Sequence, residues 1–457
     1  ILAIIYGLLL FIMFYIYNRS KKLIQLAYYD TLTGLPNIQY LKELLNEELI
    51  KKEEGKKAIL FMNCSNFRLI NLTYGYEYGD ELLKELSRRI SGLEQENKRL
   101  FRFSADRFIL YVKDYSNRED LISITKQISG IFDNPFSIKD TEQSLDVQIG
   151  IVEIDNRYWD VDRVLKDASI SLSNIKKDDS INYVFFNEEM ESKIKREELI
   201  EKEIRSILVN NDEKKFYLEF QPQVDLKTNE VICFEALARM KTPKLGFISP
   251  IEFIDVAERK QLIVPLSNLI LKSACNFIKA LSNKNLEHIK VAVNISAIQL
   301  LRNDFTDTII NIIRQMDIEA SKLELEITES VLIDNYEVVN EKLKTLQNNG
   351  ISIALDDFGT GYSSFSRLRE MNIDNLKIDR SFISKISTLE DKKVLTGDLI
   401  SMAHKLGLVV VAEGVELQSQ KEYLINNECD IMQGYLFSKP VPEDQAVQLL
   451  EMGWQKI

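Results

Sequence analysis

The chain has 457 residues, of which 45% are apolar and 28% charged, with a formal net charge of −12. That balance fits two or three globular domains; it excludes a disordered tail, a collagen-like repeat and a small disulfide scaffold, and argues against nucleic-acid binding. Two histidines, His288 and His404, exclude a multi-histidine metal site, and Cys64, Cys233, Cys275 and Cys429 form no CxxC pair, so a reduced cytosolic compartment is expected and any catalysis falls to carboxylates.

Residues 1–17, ILAIIYGLLLFIMFYIY, carry no charge and are followed by Arg19, Lys21 and Lys22. That length is the short limit of a membrane-spanning helix, and the basic cluster fits a cytosolic exit. A signal peptide would need a charged start and a small-residue cleavage site, and neither is present. Residues 1–18 are therefore read as the end of a last membrane helix, in a sequence expected to begin inside a longer protein, with residues 19–28 as a linker. Residues 29–187 mix apolar runs with helical patterns. Strands are expected at Lys57–Met62, Leu100–Phe103, Arg107–Val112, Asp146–Val152 and Asn182–Phe186. Helices are expected at Ile38–Lys52, Tyr78–Ser91, Glu119–Phe132 and Val161–Ile175. That is an α/β unit.

The stretch Glu188–Glu203 has eleven charged residues in sixteen and neither Gly nor Pro, which reads as a solvated linking helix. From residue 204 to 457 short apolar runs recur: Phe216–Gln221, Val231–Leu237, Ile289–Ile295, Leu323–Thr328, Ile351–Asp356, Asn375–Ile378, Leu408–Ala412 and Asp430–Met432. Most are separated by lengths that hold a helix, and Gly350 and Gly407 stand where a helix C-cap needs positive φ. Eight strands alternating with helices predict a (β/α)8 TIM-like barrel. An open doubly wound sheet has the same rhythm.

The strand ends carry polar residues. Glu235 lies in the second run, Asn294 closes the third, Glu326 lies in the fourth, and Asp356 and Asp357 close the fifth. Lys377 lies in the sixth, Glu413 follows the seventh and Gln433 the eighth. A barrel gathers its carboxyl strand ends on one face. Any one such Asp is as well explained as a helix N-cap; the set together is not. Oxygen ligands favour Mg²⁺ or Mn²⁺, and adjacent Asp356 and Asp357 allow two metals, a device for phosphodiester hydrolysis. Lys377 is placed to orient water or neutralise developing charge. The polar, Gly-rich stretch Asp357–Ser364 reads as a hinged loop over the metals.

At these residues the second unit resembles the EAL family of cyclic di-GMP phosphodiesterases. The carriers are Glu235-Ala236-Leu237 with Arg239, Asn294-Ile295-Ser296, Glu326-Ile327-Thr328-Glu329, Asp356-Asp357-Phe358-Gly359, Lys377-Ile378-Asp379, Glu413-Gly414-Val415-Glu416 and Gln433-Gly434-Tyr435. The resemblance implies that Glu235, Asn294, Glu326, Asp356 and Asp357 bind metal. It implies that Glu235, Lys377, Glu413 and Glu416 serve catalysis, with Lys377, Glu413 and Gln433 placing water or the second metal's ligands and Glu416 anchoring the loop 357–364. Gln221, Leu237, Arg239, Asp379, Gln433 and Pro440 would contact the nucleotide. The implied reaction is metal-dependent hydrolysis of cyclic di-GMP to linear pGpG. A binding module that senses the dinucleotide without cutting it is the competing reading, although such receptors usually lack some of these ligands.

The first unit resembles the GGDEF family of diguanylate cyclases, through Asp30–Asn37 (DTLTGLPN) and with departures. The naming motif reads Ser104-Ala105-Asp106-Arg107-Phe108, without its glycines and with Arg107 in place of the catalytic acid. Asn63 replaces the first metal aspartate, and Gln95 and Lys98 replace the inhibitory Arg-x-x-Asp motif. The resemblance therefore implies a degenerate, regulatory domain. Asn71 and Asp80 match guanine-reading positions, so weak GTP binding and a purely scaffolding role are both open. A homodimer is expected, at a bacterial inner membrane held through residues 1–17, with the globular units in the cytoplasm.

Overall fold

The structure is a computed structural model that describes residues 2–51, 55–139, 141–175, 181–329, 332–359, 365–387 and 394–451. The chain divides into two compact units, residues 1–195 and 196–457. A helix, Leu2–Tyr28, opens the first. Along it Phe11, Met13, Phe14 and Tyr17 are exposed. Among the described residues no helix is long and apolar enough to cross a membrane, so the span expected at residues 1–17 rests on sequence alone. The DTLTGLPN turn follows. Asp30 Oδ1 accepts from the Thr33 amide and hydroxyl, and Asn37 Oδ1 caps the helix Ile38–Lys51 through the amides of Gln39 and Tyr40. Its polar residues are thus accounted for by local turn and cap chemistry.

The first unit's strands are β1 (Lys57–Cys64), β2 (Lys98–Ser104), β3 (Arg107–Lys113), β4 (Phe136–Ile138), β5 (Thr141–Gln143), β6 (Val147–Ile154) and β7 (Tyr183–Phe185). Five form one sheet in the order β2-β3-β1-β6-β7, while β4 and β5 pair separately. Successive residues of β1 supply two cores. Ala58, Leu60, Met62 and Cys64 pack with the helices Tyr76–Ser91 and Arg118–Phe132; Ile59 and Phe61 pack with Ile38–Lys51 and Val161–Ser173. That is the period-two alternation of a strand covered on both faces. The expected strands and helices are present within one to three residues. The helix Phe67–Tyr74 and the β4–β5 hairpin were not expected.

The linking helix runs from Glu188 to Asn210, beyond the expected Glu203. It is not wholly solvated. Ile200, Ile204 and Ile207 are buried, a stripe at helical spacing that belongs to the second unit's core.

The second unit's strands are β8 (Phe216–Asp225), β9 (Val231–Thr242), β10 (Gly246–Ile248), β11 (Lys290–Ile295), β12 (Leu323–Thr328), β13 (Ser352–Phe358), β14 (Asn375–Ile378), β15 (Val409–Ala412) and β16 (Ile431–Gln433). The order is β9-β11-β12-β13-β14-β15-β16-β8 with β8 returning to β9, a closed barrel of eight, and β10 flanks β9. All eight expected runs are strands of the barrel, so the open sheet is excluded. One feature departs from a fully parallel (β/α)8 barrel: β8 is antiparallel to both β9 and β16. Only residues 226–230 join β8 to β9, held by Asp225 Oδ1 accepting the amides of Lys227 and Thr228. A turn that short cannot carry a crossover helix and forces a hairpin.

Along the parallel strands the usual alternation places Val291, Val293, Leu323, Leu325, Ile353 and Leu355 in the core between barrel and helices. Their neighbours Asn294, Glu326, Asp356 and Lys377 therefore face the barrel interior. Gly350 and Gly407 have φ of 86° and 80°, as their cap positions require. All four cysteines are free and buried.

Candidate active site

Register brings the polar strand ends together. On adjacent parallel strands Glu235 is paired with Ala292, Asn294 with Glu326, and Thr328 with Asp356. At the centre is Lys377, fully buried. Its Nζ lies 2.7 Å from Glu413 Oε1, 2.8 Å from Glu326 Oε1, 3.2 Å from Asp356 Oδ1 and 3.8 Å from Glu235 Oε2. One ammonium thus faces four carboxylates. Uncompensated buried charge is costly, so this cluster must hold protons or recruit further positive charge.

The carboxyls respond unequally. Burial pushes Glu413 up to about 8 against the pull of Lys377. Burial, then repulsion from Glu235, pushes Glu326 well above the ordinary range. Burial also acts on Glu235, but Lys377 and the amides of Gln433 and Asn294 outweigh it and keep that carboxyl low. Asn294 Nδ2 donates to Glu235 Oε1 at 2.6 Å, and Gln433 Nε2 donates to Oε2 at 2.6 Å. Burial pulls the Lys377 ammonium down, but the charges of Glu235, Glu326, Glu413 and Asp356 outweigh it and keep the group well above its ordinary value.

Asp356 and Asp357 are adjacent in sequence and would point to opposite faces of a regular strand. The register shifts between Leu355 and Phe358, and Asp357 has φ of 54°. This bulge brings both carboxylates to one side. Oxygens of Asp356, Asp357 and Glu413 all lie within 4.8 Å of one another. Glu326 Oε2, fully buried, accepts no hydrogen bond. An oxygen-only donor set with an unsatisfied buried carboxylate oxygen fits a hard divalent cation such as Mg²⁺ or Mn²⁺.

A cavity of about 240 Å³ opens beside the cluster, lined by Gln221, Glu235, Leu237, Asp356, Glu413 and Gln433 among others. Arg380, Glu416 and Tyr435 also reach it. Three of the residues expected at the nucleotide do not line it. Arg239 pairs with Glu219 at 2.7 Å, Asp379 caps the helix Arg380–Ile383 through the Ser381 amide, and Pro440 precedes the bridge between Val441 and Phe220.

Glu416, expected to anchor the loop, has Oε1 accepting from Arg380 Nη2 at 2.7 Å. At the described start of the loop Glu329 accepts the Gly359 amide at 3.1 Å. Residues 360–364 of that loop lie outside the described residues. Gly414, at φ of 67°, sits against the Arg380 stem, where a Cβ would meet Cγ at 2.4 Å; a side chain there would push the guanidinium off Glu416.

In the first unit, Arg107 Nε donates to Asn63 Oδ1 at 3.2 Å. The two departures from the cyclase pattern therefore bond to each other. Ala105, where the pattern has glycine, carries φ of 34°, a conformation that favours glycine. Asn71 Oδ1 is buried without a hydrogen-bond partner, against Gly79, and Asp80 is exposed.

Comparison with known proteins agrees with this geometry. The family model described as "EAL domain" matches residues 204–440, and that described as "Diguanylate cyclase, GGDEF domain" matches residues 27–181. The cyclic di-GMP phosphodiesterase NbdA of Pseudomonas aeruginosa is 33% identical over 93% of this chain and 54% of its own length. The signaling protein YkoW of Bacillus subtilis is 33% identical over 95% of this chain and 54% of its own. The chain spans about half the length of the curated relatives it matches. A solved structure of the PaMucR phosphodiesterase in complex with c-di-GMP is 32% identical, with a TM-score of 0.51, over 53% of this chain and 99% of that one. An eight-stranded barrel, its acidic strand ends and a family match over residues 204–440 place this chain in the EAL domain family, with a GGDEF-type unit before the barrel.

Proposed function

We propose that the barrel hydrolyses cyclic di-GMP to linear pGpG in a divalent-metal-dependent reaction. The observation that carries this reading is the convergence of Glu235, Glu326, Asp356 and Glu413 on Lys377, beside a cavity in a barrel similar to one solved with c-di-GMP. So acidic a cavity repels a dinucleotide diphosphate unless cations intervene. Glu235, Asn294, Glu326, Asp356 and Asp357 are the residues assigned to hold Mg²⁺ or Mn²⁺, two per site. Bound there, the metal supplies an acidified water and charge stabilisation at the phosphodiester. Lys377 stays an ammonium among its acid neighbours and offers a fixed positive charge to the phosphate oxygens. Glu413, whose proton is held up to about pH 8, is placed to exchange a proton within the cluster. Hydrolysis adds the elements of water across one P–O bond and opens the ring.

The first unit is assigned a regulatory role without cyclase activity, because Arg107 and Asn63 satisfy each other where acids would bind metal. GTP at Asn71 and Asp80 is its proposed ligand. We assign the chain to the cytoplasmic face of a membrane, held through residues 1–17, and to a homodimer; exposed apolar side chains on the helix Leu2–Tyr28 support the membrane part of that reading.

The test is direct. Purified protein with Mn²⁺ is expected to convert cyclic di-GMP to pGpG, and EDTA is expected to abolish the conversion. Binding of the dinucleotide without cleavage under those conditions would make the barrel a receptor instead.

A further inference from the structure

Gln223 takes no part in the chemistry above, yet its side chain ends inside it. It lies on β8 and is 1% exposed. The reversed direction of β8 puts Gln221 opposite Glu235 on β9, and Gln223 opposite Gln433 on β16. Two residues apart, both glutamines share one face of the strand.

Their amides form a directed chain. Gln223 Nε2 donates to Gln433 Oε1 at 3.0 Å. Gln433 Nε2 then donates to Glu235 Oε2 at 2.6 Å and to Gln221 Oε1 at 3.1 Å. Gln221 Nε2 in turn donates to the Ser438 carbonyl at 3.3 Å. A glutamine amide can be turned end for end, and its two ends do opposite things. In one orientation Gln433 donates to the Glu235 carboxylate. In the other its oxygen faces that carboxylate, and its NH₂ faces the NH₂ of Gln223. Gln223 donates on the far side, so both contacts of the Gln433 amide favour the orientation that turns its NH₂ toward Glu235.

We propose that Gln223 is a positioning residue: it locks the Gln433 amide with its donor end toward Glu235, and so holds the Glu235 carboxylate in place to bind a divalent cation. The activity arm of this assignment rests on the hydrolase reading; the metal-binding arm does not. Groups that orient a metal ligand typically matter about 10–100-fold in metal affinity or activity.

The experiment uses the full chain. Mn²⁺ binding is measured by calorimetry without nucleotide, hydrolysis of cyclic di-GMP is measured alongside, and thermal melting monitors the fold. Gln223→Met keeps the shape and removes the donor; it is expected to weaken Mn²⁺ binding and kcat/KM about 10–100-fold while melting as a folded protein. Gln223→Glu accepts from Gln433 Nε2 and turns the amide, so it is expected to weaken Mn²⁺ binding further, and it carries the test should the Met variant fail to fold. Gln223→Met in a Gln433→Ala background is expected to cost less than about twofold more, because the effect runs through Gln433. Wild-type Mn²⁺ affinity in either Gln223 variant, or independent multiplication of the Gln223 and Gln433 effects, overturns the assignment. Should the wild type leave cyclic di-GMP intact while Gln223→Met still weakens Mn²⁺ binding, the hydrolase reading fails and the positioning role stands.

Discussion

Both units end their strands in polar residues, but the charge there is settled in opposite ways. In the barrel, Glu235, Glu326, Asp356 and Glu413 crowd one buried ammonium. Negative charge is left over, and a cation is the natural way to neutralise it. In the first unit, at the ends of β1 and β3, Asn63 and Arg107 bond at 3.2 Å. A neutral amide and a guanidinium offer that pair no negative charge for a divalent cation to balance. The same kind of position is thus a candidate metal site in one unit and a closed polar contact in the other. Side-chain charge separates the two, and so does burial: Lys377 is fully buried whereas Arg107 is exposed.

The sharpest way to break this contrast is Glu235→Ala. If the acidic cluster performs the hydrolysis, losing a ligand removes several kcal/mol of transition-state stabilisation, and turnover should fall by about a thousandfold or more. A steady-state assay with Mn²⁺ measures it, and undiminished turnover would erase the distinction between the units.

Next is Lys377→Met, which strips the ammonium from four carboxylates. Breaking a buried ion pair costs about 3–5 kcal/mol, read by denaturant unfolding without metal, and added Mn²⁺ should recover part of it. Unchanged stability would mean the carboxyls are already neutral.

A smaller effect concerns pH. The folded state holds the Glu413 proton to about pH 8, above its value in the unfolded chain. The folded state therefore binds more protons between the two values, and stability falls as pH rises through that window. Glu326, also raised, acts in the same direction; Glu235, lowered, has the opposite sign but only at more acid pH, below its unfolded value, and so leaves this window untouched. Melting of the metal-free protein from pH 5 to 8 should show a decline that Glu413→Gln flattens.

The smallest effect is expected in the first unit. Arg107 is exposed, so Arg107→Ala should change stability by no more than about 0.5 kcal/mol and leave cyclic di-GMP hydrolysis unchanged. A large loss of either would give that contact a role the comparison denies it.

The barrel was legible in the sequence because its strands are short apolar runs with helix-length spacers, and its acids because they recur at strand ends. The direction of β8 was less visible. Its cue was the brevity of residues 226–230, too few for a helix. With that direction went Gln223, whose partner is more than two hundred positions away and opposite only in an antiparallel register. Glu416 is the loop anchor the sequence suggests, and Glu329, three residues past Glu326, makes the bond to Gly359. Both are acids just beyond a strand, and only the path of the backbone separates them. That Asp356 and Asp357 share a side depends on a left-handed residue, which sequence does not announce when the residue is Asp.

The four thiols have a practical consequence. Each is at most 4% exposed, and burial pushes those of Cys64, Cys275 and Cys429 up to about 12. A maleimide in the surrounding buffer finds no reactive sulfur until the fold opens. Cys64 reports on the first unit and the other three on the second, so mass spectrometry of alkylated peptides would clock the opening of each half within a single unmutated sample.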